Sequence, residues 1–67
     1  MKNKNVLLIG AGGVAQPVAF HLRKNGAKIF CHNRDQNQAE TLCRKFGGEV
    51  IDAKKMLGMS FDLIVNA

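Results

Sequence analysis

The sequence has no apolar stretch approaching the roughly 18 residues of a membrane span. Its most apolar run, Val6 to Gly13, is too short and lacks the flanks of a signal peptide, so no membrane anchor or secretion signal is expected. Cysteine is scarce. Cys31 falls in an expected strand and Cys43 on the apolar face of an expected helix, so both read as reduced core residues rather than a disulfide, which fits a cytoplasmic protein. Acidic residues are few, five Asp and Glu against ten Lys and Arg, and the resulting net charge of +5 suits nucleic acid or a small phosphorylated ligand. The basic residues, however, come in scattered pairs on expected polar helix faces: Arg23-Lys24, Arg44-Lys45 and Lys54-Lys55. No aromatics are interleaved with them, so solvated faces are expected and a nucleic-acid groove is not. No Cys, Asp or Glu is placed to complete a metal set with His21 or His32, which read as surface or packing residues.

Hydrophobic residues at 46% and charged residues at 22% exclude the low hydrophobicity of a disordered chain. Sixty-seven residues allow one small domain, with a marginal core because such a chain buries only about 60% of its extended surface. No repeat, low-complexity tract or linker divides it.

Asn5 to Ile9 (NVLLI) is apolar after its first residue and stops at Gly10, the pattern of a parallel strand covered on both faces. From Gly13 to about Asn25, the residues Val14, Ala15, Val18, Ala19 and Leu22 recur at three- and four-residue steps, predicting one helical stripe capped by Gly26. Pro17, at about the fifth position of that helix, removes a bond to the Gly13 carbonyl and predicts a slight distortion. Lys28 to His32 (KIFCH) suits a second buried strand. Ala39, Leu42, Cys43 and Phe46 then share a helical face. Asp35 with Gln38 three residues on reads as a capping box, and Gly47-Gly48 ends that helix. Glu49 to Ile51 is a short third strand, Asp52 caps a helical turn over Ala53 to Leu57 that Gly58 closes, and Phe61 to Asn66 (FDLIVN) is a fourth strand. Met56 and Met59 are expected to fill core space.

The order βαβαβαβ with right-handed crossovers predicts an α/β fold, a Rossmann-like parallel sheet with strand order 3-2-1-4. The connection between the third and fourth strands holds only about five helical residues, too few to cover the second face of strands as apolar as VLLI and LIV. The fourth strand also has no neighbour beyond it. Residues 1–67 are therefore expected to be a partial dinucleotide-binding domain of a longer protein, or to need a partner, with self-association through the edge of strand 61–66.

Gly10, Gly12 and Ala15 satisfy G-x-G-x-x-A between the first expected strand and helix. The first glycine permits the tight turn, the second lets backbone N–H groups approach a pyrophosphate, and the small third residue lets helix pack on strand. The helix N-terminus adds partial positive charge. A glycine turn without a ligand is the alternative. Twenty residues after Gly12, where NAD enzymes usually present an acid to the ribose 2′-hydroxyl, stand His32, Asn33 and Arg34. Arg34 suits a 2′-phosphate and the face of adenine, and Asn33 suits phosphate or ribose, which favours NADP over NAD. Asp35 opposes that preference through its charge, although capping turns its oxygens toward helix N–H groups.

GAGGVA after a strand, Asn33-Arg34 opening the second helix, Ala39, Glu40 and Leu42 within it, and FDLIVNA at the end together resemble the cofactor-binding domain of the shikimate dehydrogenase family. That family's pattern is GAGG(A/S), then NRT with a further basic residue, then a DLI-NA strand running into Thr. The match covers nearly the whole chain and about the first half of the family's nucleotide domain. GAGG is shared by many families, whereas NR with DLIVNA is more discriminating. The resemblance implies that Gly10, Ala11, Gly12, Gly13 and Val14 form the phosphate turn and that Asn33, Arg34 and Asp35 face the 2′-phosphate. Asn66 and Ala67 would lie near the nicotinamide-side ribose. Two departures weaken the 2′-phosphate clamp: Asp35 replaces the usual Thr, and Gln38 stands where a second Arg is common. The family's catalytic Lys and Asp belong to an N-terminal substrate domain, so no catalytic residue is assigned here and the chain alone is expected to be inactive. The parent would reversibly reduce 3-dehydroshikimate to shikimate by hydride transfer. The alternatives are the NADPH domain of a glutamyl-tRNA reductase and a non-catalytic nucleotide-binding or interaction module.

Overall fold

A computed structural model of the chain describes residues 2–10 and 12–67. It contains β1 (Asn5–Ile9), α1 (Ala15–Lys24), β2 (Lys28–His32), α2 (Gln36–Phe46), β3 (Glu49–Val50), α3 (Ala53–Leu57) and β4 (Leu63–Asn66). The strands form one parallel sheet in the order β3-β2-β1-β4, the expected Rossmann-like topology.

Strand alternation sorts the apolar residues. Val6 and Leu8 of β1 and Ile29 and Cys31 of β2 are buried together with Ala15, Ala19 and Leu22 of α1 and Ala39, Leu42 and Cys43 of α2. Alanines at the helix–sheet contact let the helices lie close to the strands. The other face is covered unevenly. Leu7 is buried there and the Phe30 ring meets Phe61 edge-on at 5.8 Å between centroids. α3, by contrast, buries none of its residues. β4 is the least covered strand, with Leu63 42% and Ile64 59% exposed. Met56 and Met59 are half-buried rather than core.

Several element ends differ from the sequence expectation for local reasons. α1 starts at Ala15, with Val14 as its N-cap, 69% exposed and outside the apolar stripe. Pro17 is therefore the third helical residue, and the N–H it lacks is one of those without an intrahelical acceptor, so the expected lost bond does not arise. At α2 only half of the expected capping box forms: Asp35 Oδ1 accepts the Asn37 N–H at 3.0 Å, while Gln38 turns to Asn33 instead. Asp52 caps α3 as expected, its Oδ1 accepting the Lys55 N–H at 2.7 Å. β3 stops at Val50, although buried Ile51 still donates its N–H to the Cys31 carbonyl at 2.9 Å. β4 begins at Leu63 rather than Phe61 because Asp62 exchanges bonds with Asn5. Its N–H donates to the Asn5 carbonyl and its Oδ2 accepts the Asn5 N–H, both at 2.8 Å, so a carboxylate takes the place of a ladder carbonyl.

Cys31 and Cys43 are buried, free thiols, as the sequence reading expects. The basic pairs are exposed, and Lys55 meets Glu49 at 2.6 Å. No helix among the described residues is long and apolar enough to cross a membrane.

Candidate functional site

Three segments leave the sheet side by side at the carboxyl ends of β2, β1 and β4. Ile9 stands opposite His32 on one side and Asn66 on the other. Just beyond that register, the Gly10 N–H donates to the His32 carbonyl at 2.9 Å, and the Ala67 N–H donates to the Ile9 carbonyl at 2.9 Å. Gly10, Gly12 to Val14, Asn33 to Asp35, and Asn66-Ala67 thus share one edge of the sheet. β1 is also where the strand order reverses, since the chain proceeds outward through β2 and β3 and returns to place β4 on the opposite side. In open α/β sheets such a point leaves a crevice at the strand ends in which ligands bind.

The glycines of the turn have different reasons to be glycine. Gly10 has φ +101°, and a Cβ on it would meet the Ala67 carbonyl oxygen at 2.5 Å, so the protein's own packing excludes a side chain. Around Gly12 and Gly13 the opposite holds, because a Cβ on either would find nothing within 4 Å among the described residues. That open space is what a phosphate group needs to come close to the backbone. Ala11 lies outside the described residues.

The turn closes through the Ala15 N–H donating to the Gly12 carbonyl at 3.0 Å, and α1 then begins with no side-chain cap and no acidic residue in its first turn. Both α2 and α3 have an aspartate cap. The positive end of α1 is left without an anionic side chain, directly behind the open space at Gly12. Gln16 accepts from Lys45 Nζ at 3.2 Å across the groove between α1 and α2.

At the end of β2, His32 has a structural job. Its Nδ1 lies 3.0 Å from the Ile51 carbonyl, an acceptor, which requires the proton on Nδ1 and ties β2 to the residue after β3. Asn33 is half-buried, and its Nδ2 donates to the Asp35 carbonyl at 3.0 Å and to Gln38 Oε1 at 3.4 Å. The amide hydrogens expected to meet phosphate are therefore used within the segment. Arg34 and Asp35 are exposed. The structure thus brings the described candidates Gly10, Gly12, Gly13, Val14, Asn33, Arg34, Asp35, Asn66 and Ala67 to one edge, and sets Gln38 beside Asn33.

The family model for shikimate / quinate 5-dehydrogenase matches residues 1–67, the whole chain. The NADP(+) shikimate dehydrogenase of Aquifex aeolicus is 38% identical over 66 residues, covering 98% of this chain and 24% of that protein. The crystal structure of shikimate dehydrogenase from Aquifex aeolicus superposes with a TM-score of 0.88 at 38% identity, over 97% of this chain and 24% of that one. Glutamyl-tRNA reductase from Methanopyrus kandleri gives a TM-score of 0.85 at 29% identity, over 98% of this chain and 17% of that one. The chain spans about a quarter of the length of the shikimate dehydrogenases it matches.

Proposed function

The chain belongs to the shikimate / quinate 5-dehydrogenase family, and from that premise we propose that it is part of the dinucleotide-binding domain of an enzyme that reversibly reduces 3-dehydroshikimate to shikimate with NADP(H). The observation that carries this reading is the open space at Gly12, set at the reversal of strand order and in front of the uncapped end of α1. In it, the backbone of Gly10 to Val14 holds the pyrophosphate. Arg34 pairs with the 2′-phosphate, Asn33 and Asp35 border the adenosine ribose, and Asn66 and Ala67 lie toward the nicotinamide-side ribose. The nicotinamide, when bound, supplies the hydride chemistry. The chain's own contribution is to bind and orient, since acid–base groups must lie within hydrogen-bond reach of the reacting oxygen. By the family resemblance, those groups are a Lys and an Asp of an N-terminal substrate domain.

The family match along the whole chain favours this reading over a glutamyl-tRNA reductase, whose likeness rests on a structure 29% identical. Two free thiols in the core support a cytoplasmic location. The exposure of Leu63 and Ile64 supports a second role for the β4 edge, as a contact with another copy or with the rest of the parent. The cofactor assignment is tested by Arg34→Ala, read by titrating NADP+ and NAD+ separately. A much larger loss for NADP+ is expected, and equal losses for both contradict the 2′-phosphate role.

A further inference from the structure

We propose that the amino edge of the sheet, opposite the glycine turn, docks an acidic polypeptide segment and seats one of its carboxylates between Arg23 and Lys28. In this parallel sheet every strand starts at one edge, and the helices that return the chain end there. Lys2 and Lys4 precede β1, Lys28 opens β2, Arg23 and Lys24 end α1, and Arg44 lies in the last turn of α2. All six are exposed, and among the described residues none of them makes an ion pair. The carboxylates at this edge are engaged, Glu49 with Lys55 at 2.6 Å and Asp62 with the Asn5 N–H at 2.8 Å. Most of the net charge of +5 therefore gathers on the side of the sheet away from Gly12, so a cofactor phosphate at the glycine turn does not explain it.

Basic side chains in a last helical turn suit the negative end of the helix, which accounts for Arg23, Lys24 and Arg44. Lys2, Lys4 and Lys28 end no helix. The backbone ties them to the end of α1: the Asn3 N–H donates to the Gly26 carbonyl at 3.1 Å, and the Lys28 N–H donates to the Lys4 carbonyl at 2.8 Å. Lys2 lies over Gly26, and the Arg23 guanidinium lies against Gly47, its Nε 3.5 Å from the point a Cβ there would occupy. Beside them is a cleft of about 410 Å³ with Asn3, Arg23, Lys28 and Gly47 in its wall. The planar fork of Arg23 matches a carboxylate, and the Lys28 ammonium adds charge beside it. Phe30, also in the wall, is half-buried and meets Phe61 edge-on, so it offers no open face on which a nucleic-acid base could stack.

The test is fluorescence anisotropy of a labelled octaglutamate peptide titrated with the chain at low and at high salt, with circular dichroism to verify the fold of each variant. The chain is expected to bind the peptide at low salt and to release it at high salt. Lys2→Gln with Lys28→Gln is expected to weaken binding about fivefold, the effect of two exposed ion pairs. Lys45, whose Nζ turns to Gln16, and Lys54 of α3 carry the same charge elsewhere. Lys45→Gln with Lys54→Gln is expected to change the affinity less than about twofold. Arg23→Lys keeps the charge and loses the fork, and is expected to weaken binding about threefold. Equal losses for the two double variants, or an Arg23→Lys chain that binds as tightly as the parent sequence, overturn the inference. Tighter binding of a single-stranded oligonucleotide of the same net charge also overturns it, by assigning the edge to nucleic acid. Failure of the unsubstituted chain to bind the peptide overturns it outright, and leaves the dinucleotide reading intact because no cofactor enters the titration.

Discussion

The carbonyl oxygen of Ala67 lies 2.5 Å from the point a Cβ on Gly10 would occupy, so the last residue of the chain closes onto the first glycine of the turn. Two residues 57 positions apart in sequence thereby fix the mouth of the candidate site. Gly10 also holds φ +101°, which side-chain-bearing residues rarely adopt. Gly10→Ala combines backbone strain with a clash against backbone, and it is expected to destabilise the fold by about 2–3 kcal/mol. A urea unfolding midpoint unchanged from the parent sequence would contradict this packing.

Burial pushes the Cys31 thiol far above its ordinary value of 9.0, with the neighbouring Cys43 adding to the shift. Burial raises Cys43 as well. Since the folded state holds these protons more tightly than the unfolded state does, the associated stability is fully present below the unfolded value. It is lost as pH rises past about 9. Unfolding free energy measured from pH 7 to pH 10.5 is expected to fall at the alkaline end, and Cys31→Ala with Cys43→Ala is expected to flatten that part of the profile. At pH 8 an aromatic disulfide reagent should label the native thiols slowly and the urea-unfolded thiols at once.

Asp52 offers a local test of how α3 is held. Its Oδ1 satisfies the Lys55 N–H at 2.7 Å, and Asp52→Ala is expected to cost about 1 kcal/mol in chemical denaturation. Asp52→Asn retains an acceptor and should recover most of that loss. Equal losses for the two substitutions would contradict the capping role.

The apolar exposure of β4 predicts association. The chain is expected to sediment above its monomer mass, and Ile64→Lys to return it toward the monomer, because Ile64 is 59% exposed on a strand that, among the described residues, pairs along one side only. A monomeric chain with a sharp, cooperative unfolding transition would contradict this use of the edge.

The parts of the fold that were legible in sequence are those set by local pattern. NVLLI and KIFCH give β1 and β2 to the residue, because each is a compact apolar or β-branched run ended by a residue that leaves the strand. The start of α1 was less legible, since Val14 continues the apolar spacing yet sits exposed at the N-cap, and only the helix's true start shows that Pro17 belongs to its first turn. Phe61 and Asp62 read as strand, but Asp62 uses its side chain where a strand residue would use its carbonyl. The Asp35 and Gln38 spacing signals a capping box regardless of where the glutamine turns. Its partner here is Asn33, five residues earlier, a relationship with no periodic signature. The contact of Ala67 with Gly10 is non-local, and no local pattern carries it. The glycines were legible as a motif, whereas which of them the fold needs and which it leaves open depended on their surroundings.

The central claim is that the open space at Gly12 is a phosphate cradle, and Gly12→Val tests it most directly. With nothing among the described residues within 4 Å of the added Cβ, the substitution is expected to leave the unfolding free energy within about 0.5 kcal/mol of the parent sequence. Dinucleotide affinity measured by calorimetry on the same sample should fall at least about tenfold, because the side chain fills the space the pyrophosphate needs. A Gly12→Val chain that is equally stable and binds NADP+ as tightly as the parent sequence would contradict the account.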